Sequence, residues 1–169
     1  DGFFTTTTDI ELFFTEWNGI SWEARTRLTT NDVADESPRV IYTPDGQRRL
    51  VWLQDNELVL LGQDWATEPI AGEIGTEAAG LRDFELAVNA EGSLMAVWQG
   101  MSEEGADLYY ALYDAETSSW NVESQLTHSN AMEKQASTAF DPAGQLMVAY
   151  GLDNLKETVK IISPTLTIT

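Results

Sequence analysis

The sequence has no cysteine. Disulfides, zinc–thiolate centres and thiol nucleophiles are excluded together. Cations are scarce: nine Lys and Arg stand against 28 Asp and Glu, for a formal net charge of −19. Such a field repels phosphate backbones and anionic headgroups, so nucleic acid and membrane insertion are not expected. No apolar run approaches the roughly 18 residues that a membrane span needs. Histidine occurs once, at His128. No signal peptide is recognisable, and a start at Asp1 rather than Met is what a processed protein or a piece of a longer one would show.

What is present is enough to fold. The chain has 169 residues, 43% of them hydrophobic and 10% aromatic, which suits one domain with a packed core. Its organisation is repetitive. "DIELFFTEWNGISWEARTRLT" from Asp9 returns 98 residues later as "DLYYALYDAETSSWNVESQLT" from Asp107. The match runs on through "TPDGQRRLVWLQDN" from Thr43 and "DPAGQLMVAYGLDN" from Asp141. Without a gap, residues 9–56 keep ten identities with residues 107–154, among them Ser21/Ser119, Trp22/Trp120, Gly46/Gly144 and Asp55/Asp153. A third copy, "VNAEGSLMAVWQG" from Val88, lies between them, so the unit is about 49 residues long.

Each unit reads as four short strands. In the middle unit these are "DFELAVN", "SLMAVWQ", "DLYYALYD" and "WNVESQLT", separated by turns rich in Gly, Asp, Asn and Ser. The second strand is apolar on both faces in every copy: Leu50 to Trp52, Met95 to Trp98 and Met147 to Tyr150. A strand of that kind is buried on both sides. Only "GTEAAGLRD" from Gly75 has much helix propensity, and its glycines break it. The five prolines fall at strand starts or turns. The expected fold is all-β: a β-propeller-type array of about three to four antiparallel four-stranded blades. Residues 1–169 form one segment, with blade units at about 1–30 (partial), 37–76, 83–127 and 135–169.

The blade rhythm, together with "TEWNGISW" and "YDAETSSW", resembles sialidase-like propellers with Asp-box repeats, known from secreted bacterial proteins. The box is Ser/Thr-x-Asp-x-Gly-x-Thr-Trp. Thr15, Gly19, Ser21 and Trp22 keep its register with Trp17 where Asp belongs; Ser119 and Trp120 keep it with Asp114 one place out. The resemblance implies a secreted or cell-surface, bacterial-type location. It does not imply sialidase chemistry, which needs three arginines on the substrate carboxylate. Only Arg39 and Arg82 lie at or before first strands, where a central pocket would be.

Function is expected on the loops that join fourth to first strands and second to third strands. They collect Asp32, Asp35, Glu36, Asp55, Glu103, Glu104, Asp107, Asp153 and His128. Oxygen-rich loops suit Ca²⁺, but no DxDxDG-type spacing occurs, and the expectation is no cofactor. Trp22, Trp52, Trp98 and Trp120 recur from unit to unit and are expected in packing. Trp17 and Trp65 break the repeat and are the expected aromatic contacts for a glycan or protein. The ligand-binding candidates are thus Trp17, Trp65, Asp55, Asp153, Glu103 and Glu104, with no catalytic residue. The expected role is a noncatalytic extracellular binding or structural module. The alternative is a carbohydrate-binding or glycan-active propeller. An open stack leaves an apolar face at each end, so further blades or other copies of the chain are expected to complete a ring.

Overall fold

In the computed structural model, residues 9–55, 57–62, 70–72, 83–101, 105–128 and 131–153 are described. Among these the structure is all-β, with antiparallel sheets and no helix. Residues 75–82 of "GTEAAGLRD", Arg82 among them, and residues 154–169 of the last blade unit lie outside the described residues. A closed ring is not seen among the described residues. The architecture is a face-to-face stack of sheets.

The first layer is a small hairpin of β1 (Phe13–Phe14) and β2 (Thr26–Arg27), extended by a bridge between Trp17 and Trp22. The second is a meander of β3 (Asp35–Tyr42), β4 (Arg48–Gln54), β5 (Glu57–Leu61) and β6 (Ile70–Gly72), hydrogen-bonded in that order. The third runs through β7 (Phe84–Val88), β8 (Leu94–Met101) and β9 (Ala106–Asp114). Its fourth strand is split into β10 (Ser119–Trp120) and β11 (Ser124–Gln125), both paired with β9. The fourth layer is the hairpin of β12 (Met132–Phe140) and β13 (Leu146–Asp153). One parallel bridge, Met132 to Ala106, ties β12 to the edge of β9.

Strand alternation explains the stacking. On β4 and β5, Val51, Leu53, Leu58 and Leu60 share one face, while Leu50, Trp52, Val59 and Leu61 share the other. The first set packs with Phe84, Leu94, Ala96, Trp98, Ala111 and Tyr113 of the third layer. The second set packs with Leu12 and Leu28 of the first layer. All eight side chains are at most 4% exposed. At about 1.5–3 kcal/mol for each large apolar side chain removed from water, this two-sided burial is the main stabilising contribution. The opposite face of the third layer is covered by β12. Thr138 Oγ1 sits 4.0 Å from Met95 Sδ, and Met95, Val97 and Leu108 are fully buried.

Two hairpins 98 residues apart share fine geometry. Tyr42 pairs with Arg48 and Phe140 with Leu146. Both hairpins carry a bulge, between Glu36 and Arg39 in one and between Lys134 and Ser137 in the other. Each bulge holds a left-handed residue, Ser37 at φ 51° and Gln135 at φ 57°. The connecting loops Thr43–Gln47 and Asp141–Gln145 close alike. The fourth residue's N–H donates to the first carbonyl, at 2.8 Å from Gly46 and 3.0 Å from Gly144. Asn89–Ser93 closes the same way through Gly92. These loops require φ near +80°, which only glycine adopts without strain. Gly100 has a different reason to be small: a Cβ there would lie 2.7 Å from the Tyr109 ring, which stacks on Trp98.

The tryptophans divide more sharply than their recurrence suggests. Trp52 and Trp98 are 1% exposed and Trp120 is partly buried, but Trp22 is 66% exposed. The packing expectation fails for Trp22 because, among the described residues, no sheet lies over the outer face of the first hairpin.

Candidate functional site

The first hairpin supplies the most accessible aromatic surface. Asn18 shapes its tip: Oδ1 accepts the N–H groups of Ile20 and Ser21, both at 3.0 Å, forming an Asx turn. That turn brings Trp17 and Trp22 edge to face, with centroids 5.8 Å apart and planes at 63°. Trp17, expected to be accessible, is 53% exposed. The third layer repeats the arrangement. Asp114 Oδ1 accepts the Glu116 N–H at 2.8 Å, and Tyr113 meets Trp120 at 5.5 Å and 61°. There the pair is sheltered, since Tyr113 belongs to the core between the second and third layers.

Beside this hairpin lies an open cleft of about 430 Å³. Phe13, Phe14 and Trp22 form one wall; Pro38, Val40 and Tyr42 of β3 form the other, with Leu12 and Leu50 at the base. Val40 and Tyr42 are 57% and 61% exposed. An Arg48–Glu16 ion pair spans the cleft rim, and Arg25 lies over the Phe13 ring at 5.2 Å. Aromatic walls with a charged, hydrogen-bonding rim can stack against a flat apolar ligand face and anchor its polar groups. A second cavity, of about 330 Å³, opens between the third layer and β12 and is lined by Glu85, Trp98, Gln99 and Gln135.

The described carboxylates do not gather into one site. Asp55 is exposed at the β4–β5 turn, at φ 50°. Asp153 ends β13 and accepts Lys134 Nζ at 2.8 Å. Asp32, Glu36 and His128 are exposed. Trp65, Glu103 and Glu104 lie outside the described residues. No group of three or more His, Asp or Glu residues that could hold a metal ion is found among the described residues.

Two loop carboxylates are interior. Asp35 is fully buried. Its Oδ1 accepts Trp52 Nε1 at 2.8 Å and Gln54 Nε2 at 2.9 Å, and its Oδ2 accepts Asn31 Nδ2 at 3.0 Å. Asp107, 1% exposed, accepts Gln125 Nε2 at 2.8 Å. Both therefore brace strands rather than face solvent. Sequence reasoning grouped them with solvated loops; only the donors' three-dimensional positions separate them. It also missed the cleft, whose walls come from strands read as packing. Arg39, a candidate for a central pocket, is ion-paired with Asp83 at 2.6 Å and lies over Phe84 at 5.8 Å, linking the second and third layers.

The fold shifts the ionisation of Asp45 and of Tyr109. A hydrogen bond from the Thr43 hydroxyl, helped by the Gln47 backbone, holds Asp45 below the usual carboxylate range. Burial pushes the Tyr109 phenol up, reinforced by the charges of Asp107 and Glu123. Neither group lies in the aromatic cleft.

The class of protein defined by these observations is an all-β stack of antiparallel sheets with an aromatic cleft at one end. No protein-family model, curated protein or solved structure matches the chain.

Proposed function

We propose that this chain is a noncatalytic binding or structural module built as a β-propeller segment and carried by a secreted or cell-surface protein. The observation that carries this reading is the two-sided burial of successive four-stranded meanders. Blades of a propeller bury both faces in this way, with inner and outer edges left accessible. The dispersal of the accessible carboxylates among the described residues favours binding over catalysis, because paired-carboxylate hydrolysis needs two such groups flanking one bond. The expected partner is a protein, further blades or other copies of the chain.

A second reading, carbohydrate binding, is favoured by the cleft. Trp22, Tyr42 and Phe13 offer stacking surfaces beside the Glu16–Arg48 pair. A glycan array and a glycoside hydrolysis panel separate the two. The module reading expects no turnover and no selective glycan retention. Retention abolished by Trp22→Ala and Tyr42→Ala would replace it with a lectin. Hydrolysis lost on changing a single carboxylate would replace it with an enzyme.

A further inference from the structure

We propose that the two ends of the stack bind one another between copies, head to tail. The head is the Phe13–Trp17–Trp22 face of one chain, and the tail is the Met147–Ala149 face of a second. The proposal rests on the stacked-unit reading above and extends it to a defined partner, a second copy.

The template for this contact lies inside the chain. Tyr113 of the third layer belongs to one buried cluster with Val51, Leu53, Leu58 and Leu60 of the second, and Trp120 packs against that cluster. The Trp17–Trp22 pair reproduces the Tyr113–Trp120 pair in strand pairing, separation and tilt. Its exposure is the difference. Trp17 and Trp22 are 53% and 66% exposed, whereas Tyr113 is 4% exposed. The head is thus an aromatic knob of a kind that this fold elsewhere buries.

The matching surface stands at the other end. β12–β13 shares register, bulge and left-handed residue with β3–β4, 98 positions on. Val51, which meets the third layer, corresponds to Ala149. Strand alternation puts Met147 on the same face as Ala149. Met147 is 60% exposed, and Ala149 is exposed too. The equivalent surface on β4 and β5 is already occupied by the third layer, so the knob cannot dock within its own chain. A second copy supplies the open counterpart. Such a contact is heterologous, and it closes into a ring or extends as a filament according to the rotation between copies.

Charge sets the conditions. Each copy carries −19, so copies repel at low ionic strength, while apolar contact is not screened by salt. Added NaCl therefore strengthens this association, the opposite of an interface held by ion pairs.

Sedimentation velocity on the full chain tests the proposal. Wild type is expected to exceed the 18.8 kDa monomer, increasingly so with NaCl. Trp17→Asp/Trp22→Asp blocks the head, and Met147→Asp/Ala149→Asp blocks the tail. Each is expected to weaken self-association by at least about tenfold, the scale of an interface hot spot. Val122→Asp, at an exposed site away from both faces, is expected to leave it unchanged. The decisive measurement is the mixture. A head-blocked chain keeps its tail and a tail-blocked chain keeps its head, so together they form a 1:1 dimer and stop. Circular dichroism melts confirm that each variant folds; the single changes Trp22→Asp and Met147→Asp replace any double variant that does not. A wild type that stays monomeric at high protein and salt concentration overturns the proposal. So does a mixture that fails to pair, or a tail-blocked chain that associates like wild type. Those outcomes leave the module reading intact, because that reading is decided by the glycan and hydrolysis screens.

Discussion

The two aromatic pairs, Tyr113–Trp120 and Trp17–Trp22, have nearly the same internal geometry and opposite environments. One belongs to the buried cluster between the second and third layers; the other faces solvent. Local sequence therefore sets the shape of the turn and the tilt of the rings. Whether those rings become core or surface is set by the adjoining layer. The same contrast runs through the whole molecule. Among the described residues, the interior sheets are covered on both faces, and the first and last hairpins on one.

The sharpest way to break this comparison is to truncate one tryptophan from each environment. Trp98→Ala is expected to cost about 3–5 kcal/mol, the usual range for a large buried aromatic. Trp22→Ala is expected to cost less than about 1 kcal/mol, as surface changes do. Urea unfolding of both variants measures the difference, and equal losses would mean that the layers do not shelter what they enclose. A smaller contrast concerns acids. Asp35→Ala strands three donors, two of them on the second layer, and should cost about 2–3 kcal/mol. Asp153→Ala breaks only a half-exposed pair with Lys134 and should cost under about 1 kcal/mol.

The smallest effect is in pH. The fold holds Tyr109 neutral, with its value raised by burial first and by neighbouring carboxylates second. Its stabilising contribution is whole below the ordinary tyrosine value of about 10 and is lost as pH rises through the raised folded value. Melting curves at increasing alkalinity should fall less steeply for Tyr109→Phe than for wild type. Equal slopes would place the phenol in solvent.

The second strands were legible because residues apolar on both sides admit few other arrangements. Leu50–Trp52 and Met95–Trp98 are buried as that pattern requires. Met147 and Tyr150 carry the same pattern yet are 60% and 45% exposed, since the strand pattern does not say whether a further layer lies over it, and none does among the described residues. The ungapped match misplaced one segment. Trp22 does answer to Trp120, 98 residues on, but Trp17 answers to Tyr113, only 96 on, because the first hairpin's tip is two residues shorter. The structural counterpart of Asp107 is therefore Glu11, not Asp9: Glu11 pairs with Arg27 as Asp107 does with Gln125. At the candidate site, the accessibility of Trp17 was readable because it breaks the repeat that the packed tryptophans follow. The interior roles of Asp35 and Asp107 were not, because their donors Asn31, Trp52, Gln54 and Gln125 come from loops and strands that sequence spacing does not align.

The break in the third layer's outermost strand has a consequence for how the protein behaves in a crowded solution. Between Trp120 and Ser124 the ladder is interrupted, and Asn121 turns its side-chain oxygen onto the Leu112 N–H at 2.6 Å. That rim presents two fragments of two residues each instead of a continuous row of free amides and carbonyls. Short, interrupted edges are poor templates for amyloid-like strand addition. A chain so rich in β-structure is thereby guarded against sideways fibril growth along this margin.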